Sequence, residues 1–251
     1  MRYELMFPKQ VREAIDRNSP VALAVGVLEY HAEHCALGTD GVVVARMLEK
    51  TERECPDLVL LPTFYYGAAS YTVAPPERNG TIHVDAETVY QFARQLFKGL
   101  LRVGFRNIHA FVYHQTENFY QGMPTDLAFR SAGRQEIFAF LEKEHGEGWW
   151  GKDAMKHYYA NLKTNNPFDW INVHALTDET INRDIPGDHA GNVETSFMMS
   201  VCPEGVDMTR HSSDAWYAAS AVEATKKLGD NYAAMIQKRL RAVLFKHSDA
   251  T

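Results

Sequence analysis

An unbroken apolar run, Val21-Ala22-Leu23-Ala24-Val25-Gly26-Val27-Leu28, gives way without transition to Glu29-Tyr30-His31, with Asp40 nine residues further on. A run that is apolar throughout, rather than alternating, reads as a strand covered on both faces, which is the condition of a central strand in a parallel sheet. The polar residues begin at its carboxyl end, the edge where open α/β sheets place their ligands. A carboxylate, an imidazole and a second carboxylate arriving there together point to a metal site. Glu29 and His31, two apart on an extended segment, face the same way.

The same pattern recurs. Leu58-Val59-Leu60-Leu61 reads as a second buried strand, ended by Pro62. Residues 63–80, rich in glycine, proline and tyrosine without a period, read as a long functional loop. Asp85 is positioned to cap a helix whose Val89, Phe92, Ala93, Leu96 and Leu100 form one apolar stripe, with Gly104 as its stop. Ile108 to Tyr113 is then a third buried strand, and it too ends in a polar burst, His114-Gln115-Thr116-Glu117-Asn118. Strand, helix and strand in this order imply parallel pairing through a right-handed crossover. Two strand ends therefore bring ligand-type residues to one edge.

Elsewhere the pattern predicts helices over 11–18, 41–54 and 134–145, a strand at 170–174, a helix opening between Asp188 and Ser196, and a mostly helical tail from Ala215. The irregular aromatic segment 146–186 could line a pocket, cover it, pack a core or meet another subunit. The chain's 251 residues suit one α/β domain, and nothing marks a linker. A formal charge of −6 with no basic cluster argues against nucleic acid or an anionic membrane as partner. Lys238-Arg239-Leu240-Arg241 reads as a solvated helix face. Cys35, Cys55 and Cys202 show neither disulfide nor zinc-knot spacing, and no signal-like or membrane-spanning run is present, so a soluble cytoplasmic protein is expected.

The side chains expected to meet at the carboxyl edge are Glu29, His31, Asp40 and His114, with Glu117 and Glu194 as further acidic candidates. Two imidazoles and three or more carboxylates suit a pair of divalent ions, zinc or manganese, bridged by a carboxylate. Two such ions hold a water as hydroxide near neutral pH, so hydrolysis of a carbonyl compound is the reaction class. His34 reads as a supporting group, and Cys35 as no nucleophile.

The residues Ala24 to Asp40, with Glu29-x-His31-x-x-His34 followed by Gly38-Thr39-Asp40, resemble the creatininase (creatinine amidohydrolase) family. Gly80-Thr81-Ile82, the unit from Ala86 to His114, and His189-Ala190-Gly191 with Glu194-Thr195-Ser196 match it in the same order. The resemblance implies a three-layer α/β/α sandwich with a mostly parallel sheet, assembled into homo-oligomers and acting on small molecules. It implies that Glu29 and His114 hold one metal, that His31 helps hold the other, and that Asp40 bridges them. Thr81 and its loop, with Arg78, would border the substrate; Trp170, from the aromatic segment, is a further substrate-binding candidate by its aromatic character. His189 would stand over the scissile group as a proton donor or polarising group, with Glu117 or Glu194 completing the second metal site. The implied activity is hydrolysis of a small cyclic amide or formamide by metal-bound hydroxide. Two alternatives stay open: hydrolytic carbon–carbon cleavage of a cyclic diketone derived from a sugar or cyclitol, and a metal- or ligand-binding relative without turnover.

The sequence departs from the family at two places. Where the family commonly writes asparagine-glycine-histidine-glycine-glycine-asparagine, this chain carries Val112-Tyr113-His114-Gln115-Thr116-Glu117-Asn118. The loop before Gly80 has Pro75-Pro76-Glu77-Arg78 in place of a frequent histidine.

Overall fold

The structure is a computed structural model and describes residues 1–116, 118–161 and 166–245. Its elements run α1 (Pro8–Asp16), β1 (Val21–Val25), α2 (Thr39–Glu54), β2 (Val59–Leu60), α3 (Ala86–Val103), β3 (Ile108–Val112), α4 (Pro124–His145), α5 (Tyr158–Asn161), β4 (Ile171–Ala175), α6 (Glu179–Asp184), α7 (Asn192–Val201) and α8 (Lys226–Leu244), with short 3-10 turns between them. The four strands form one parallel sheet in the order β2-β1-β3-β4.

Strand alternation divides the interior into two cores. Val21, Leu23 and Val25 of β1 face the core built from α3 and α4, while Ala22 and Ala24 face the core built from α2, α7 and α8. Three layers result, as expected. On α3, Val89, Ala93, Phe97 and Leu100 are buried, each large apolar one contributing roughly 1.5–3 kcal/mol. Phe92 departs from the expected stripe: it is half exposed and stacks on Phe64 instead. Gly104 closes the helix at φ 124°, a conformation that favours glycine.

The order of connection matters for function. β1 leads through α2 to β2 on one side, and β3 leads through α4 to β4 on the other, with the two helices on opposite faces. The carboxyl ends of β1 and β3, paired in register as Val25 with Val112, therefore flank a topological switch point.

Several boundaries differ from the sequence reading. β1 stops at Val25, and Leu28 makes only an isolated bridge to Ile82. Helix α2 starts at Thr39 and so includes Asp40. Helix α4 starts at Pro124, ten residues before the expected start: its first turn buries the polar Thr125 and Asp126, ahead of the apolar Ala128, Phe129 and Ala132. Arg239 is not solvated; it turns to Asp178, its Nε 2.9 Å from Oδ2. Among the described residues no helix is long and apolar enough to cross a membrane.

Candidate metal centre

Gly26, directly after β1, fixes the geometry of the centre. A Cβ there would lie 2.2 Å from the Gly41 nitrogen, so only glycine lets the end of β1 touch the first turn of α2. That contact carries Asp40, the second residue of α2, to the mouth of β1. Beyond Leu28 the chain folds back, the Glu29 amide donating to the Leu37 carbonyl at 2.9 Å and the Tyr30 amide to Thr81 Oγ1 at 3.0 Å. His31 Nδ1 donates to the Glu29 carbonyl at 2.9 Å, which leaves Nε2 as the free ring nitrogen. His114 lies two residues past β3, with φ 142°, a region that side-chain-bearing residues rarely adopt and that active sites tolerate.

Glu194 arrives from α7. Asp188 caps this helix, accepting from the amides of Val193 (2.8 Å) and Glu194 (2.9 Å), so of the two carboxylates in this stretch Asp188 is the cap. Glu194 Oε2 accepts from the Ala190 amide at 2.7 Å and lies 3.5 Å from His31 Nε2.

These side chains converge in three groups whose ligand atoms lie within 4.8 Å of one another: Glu29, Asp40 and His114; His31, Asp40 and Glu194; and Glu29, His31 and His189. His31 Nε2 stands 3.7 Å from Asp40 Oδ1, and His114 Nδ1 stands 3.3 Å from Glu29 Oε2 and 3.5 Å from Asp40 Oδ2. Such separations are long for hydrogen bonds. They match two ligands of one ion, since bonds of 2.0–2.2 Å in a tetrahedron put ligand atoms about 3.4 Å apart. His31 Nε2 and Asp40 Oδ2 are buried without a hydrogen-bond partner. A buried polar atom left this way is costly, and cations held at the two groups would satisfy them.

Electrostatics agree. Burial alone would lower the pKa of His31, but Glu194 and Asp40 outweigh it and push it up to about 10. His114 likewise rises to about 10, burial opposing and Asp40 and Glu29 prevailing. Burial raises the Asp40 carboxyl while His114 and His31 pull it well below its ordinary value, and pulling prevails. Burial pushes Glu194 up to about 7, opposed by His31. Without metal the cluster gathers protons. Divalent cations can replace them.

The remaining sequence candidates separate. His189 joins the centre: its ring lies 4.4 Å from that of His31, and Nε2 donates to the Tyr30 carbonyl at 2.9 Å. Burial, followed by the charge on His31, lowers its pKa, so the ring stays neutral. Thr81 is close but occupied, its hydroxyl holding the Tyr30 amide rather than lining the cavity. Arg78 is exposed and also absent from the lining. Trp170 is a correction: it precedes β4 at the amino edge of the sheet, where its carbonyl accepts from the Ile108 amide and its ring carries Arg106 at 4.7 Å. Glu117 lies outside the described residues. His34 turns to Thr195 Oγ1 at 3.0 Å. Burial pushes the Cys35 thiol up to about 12, which removes it as a nucleophile.

Glu29, Asp40, His114, His189 and Glu194 line a cavity of about 370 Å³. Sequence reasoning missed Ser70, Thr72, Gln115, Thr177 and Asn182, which share it. Gln115 stood in the polar burst after β3 and could have been found there. Ser70, Thr72 and Thr177 come from loops with no period to single them out, and Asn182 from the short helix α6.

The sequence profile of the creatininase family, described as creatinine amidohydrolase, matches residues 4–242. The chain belongs to the creatininase family. Crystallised creatininases share its fold. A creatinine amidohydrolase (creatininase) is 17% identical, with TM-score 0.70, over 100% of this chain and 98% of that one. A manganese form of creatininase is 16% identical, with TM-score 0.68, over 97% and 98%. A Zn-Zn form of a creatininase variant is 16% identical, with TM-score 0.66, again over 97% and 98%. No curated protein matches this member of the creatininase family.

Proposed function

We propose that this protein is a metal-dependent amidohydrolase that opens a C–N bond of a small cyclic amide or formamide. One observation carries the reading: the two oxygens of Asp40 face different ligand groups, Oδ1 toward His31 and Oδ2 toward His114. A carboxylate so placed could be shared by two ions. Glu29 and His114 would hold one of them with Asp40, and His31 and Glu194 the other. Zinc or manganese is the reading's metal, supported by the mixed imidazole and carboxylate donors and by the manganese and Zn-Zn forms of structural relatives. When bound, the ions make water acidic enough to ionise near neutral pH and polarise the scissile carbonyl.

The chain's own groups do the rest. The tie from His189 Nε2 to the Tyr30 carbonyl leaves Nδ1 with the lone pair, so the neutral ring takes up a proton and returns it to the leaving nitrogen. The paired ends of β1 and β3 hold Glu29 and His114 on rigid supports. Arg78 is exposed and outside the cavity lining, so it lends no support to the cyclic-diketone alternative. The reading includes a homo-oligomer, supported by the exposed Leu5, Phe7 and Phe92, and a reducing cytoplasm, supported by three free cysteines.

The test is metal analysis of protein purified without chelator, followed by a screen of cyclic amides, formamides, lactones and cyclic diketones with manganese or zinc. About two equivalents of metal with C–N hydrolysis support the reading. Turnover of diketones alone supports carbon–carbon cleavage instead. Less than about half an equivalent at saturation leaves a binding protein and sinks the enzyme.

A further inference from the structure

His34 follows His31 by three residues and is 2% exposed. Its carbonyl accepts from the Asp207 amide at 2.9 Å, and its ring meets the ring of His211 edge-on at 5.1 Å, so backbone and side chain are both fixed. Nδ1 is buried with no hydrogen-bond partner among the described residues, and Nε2 lies 3.0 Å from Thr195 Oγ1. The Thr195 hydroxyl donates to the Ala190 carbonyl at 3.3 Å. A carbonyl only accepts, so the one hydrogen of Thr195 is committed there and His34 Nε2–H donates to the hydroxyl oxygen.

Ala190 is held in a conformation it would not choose. It is wholly buried with φ 50°, a left-handed backbone that a residue with a Cβ keeps only where its surroundings enforce it. Its side chain packs with Ala32 and Ala218. Its amide donates to Glu194 Oε2 at 2.7 Å, the oxygen that lies 3.5 Å from His31 Nε2. A line of hydrogen bonds thus runs from His34 through Thr195 and Ala190 to Glu194. Cys35 Sγ, 3.6 Å from Thr195 Oγ1, is the rival acceptor for the Thr195 hydrogen once the His34 donor is gone.

We propose that His34 is a positioning residue for one of the two ion sites, holding Glu194 through Thr195 and Ala190 and leaving the group of Glu29 and His114 alone. This rests on the amidohydrolase reading, in which His31 and Glu194 share an ion. No hydrogen bond of the line reaches Glu29 or His114, which stand beyond the paired ends of β1 and β3. Loss of an outer partner that orients a metal ligand typically weakens binding by about 10–100-fold. The loss here falls on one ion.

The test titrates chelator-treated protein with zinc against a chromophoric chelator, which resolves two binding events, for the natural chain, His34→Leu and His34→Gln. Circular dichroism is recorded on each. In His34→Leu one ion is expected to bind as in the natural chain and the other at least about tenfold more weakly. His34→Gln, whose amide N–H replaces Nε2–H, should restore the weakened ion. In a Glu194→Gln background His34→Leu should change nothing further, because both substitutions act on one ligand. Equal weakening of both ions, no restoration by glutamine, or an effect that persists beside Glu194→Gln overturns the proposal. If His34→Leu misfolds, Thr195→Val, which keeps the branched shape without the hydroxyl, must weaken the same single ion. A natural chain that binds no zinc sinks the amidohydrolase reading, whereas two ions held alike by the natural chain and His34→Leu sink only the role of His34.

Discussion

His31 Nδ1 lies 2.9 Å from the carbonyl oxygen of Glu29, two residues earlier in the chain. A carbonyl only accepts, so the hydrogen is on Nδ1 and the lone pair of the neutral ring is on Nε2. That nitrogen faces Asp40 and Glu194. One short segment thus supplies a carboxylate to one ligand group and, through its backbone, aims the imidazole of the other. The strand's abrupt end makes both possible, because the carbonyl of Glu29 is no longer engaged in the sheet.

In the proposed centre Asp40 is shared by both ion sites, so its loss should empty both. In Asp40→Ala and in the near-isosteric Asp40→Asn, bound metal is expected to fall from about two equivalents to less than half. Turnover should drop by at least about 10³-fold, more than the loss of one oriented donor costs. Far-ultraviolet circular dichroism should be unchanged, since Asp40 holds no hydrogen bond that maintains α2. Retention of both metals by Asp40→Asn would show that the bridge is not the carboxylate.

The elements that position the centre were legible because their signals are local. Polarity starting at Glu29 and at His114 marks the ends of β1 and β3, and parallel order then places both at one edge. Contacts between distant segments were not legible. Nothing near Thr81 tells that its hydroxyl is taken by the Tyr30 amide, 51 residues away. Trp170 shows the cost of naming a residue by aromatic character alone. It directly precedes a five-residue strand, and at about 3.3 Å per residue it sits a strand's length from the edge where ligands gather. The start of α4 was hidden because its first turn buries polar residues, Thr125 with its hydroxyl oxygen accepting from the Ala68 amide and Asp126 with Arg130 at 2.9 Å.

Gly26 and Gly99 make a paired test of what a methyl group costs. At Gly26 an added Cβ meets backbone, 2.2 Å from the Gly41 nitrogen and 2.7 Å from the Asp40 carbonyl carbon, and backbone cannot step aside cheaply. Gly26→Ala should lose about 2–3 kcal/mol in urea unfolding and should weaken metal binding, because Asp40 moves with α2. At Gly99, inside α3, a Cβ meets nothing within 4 Å. Gly99→Ala should gain roughly 0.5–1 kcal/mol from helix propensity with metal binding unchanged. Equal stability of the two variants would mean that the β1–α2 contact does not constrain the centre.

Stability of the metal-free protein should fall as pH rises. His31 and His114 titrate near 10 when folded and near 6.5 when unfolded, so the folded state binds more protons between these values. Their contribution is complete below about 6.5 and is lost as pH climbs through 10. Glu194, pushed up to about 7, acts in the same direction across the weakly acidic range. Asp40, depressed by its imidazole neighbours, acts oppositely: its contribution is present above the unfolded value near 3.9 and is lost in stronger acid. The melting temperature of chelator-treated protein is expected to be higher at pH 6.5 than at pH 9.5. Metal-loaded protein should show a smaller difference. Metal binding at pH 7.5 should release about two protons, measured by calorimetry in buffers of different ionisation enthalpy. A release near zero would contradict the protonated imidazoles.

His189 belongs to one ligand group with Glu29 and His31, yet its Nε2 is committed to the Tyr30 carbonyl. The two roles open to it predict different losses. As a proton carrier, His189→Asn should lower kcat by about 10²–10³-fold while metal content stays the same and KM changes little. Its pKa is held below the ordinary histidine value by burial and by the charge on His31, so the neutral ring is the working form. The acidic limb of kcat/KM in the natural chain should then lie below pH 6.5, and it should vanish in His189→Asn. As a metal ligand, the same substitution would instead remove one equivalent of metal, and added manganese or zinc would restore much of the rate. Unchanged metal content together with kcat within about twofold of the natural chain would exclude both, because general acid–base catalysis is worth at least about 10²-fold.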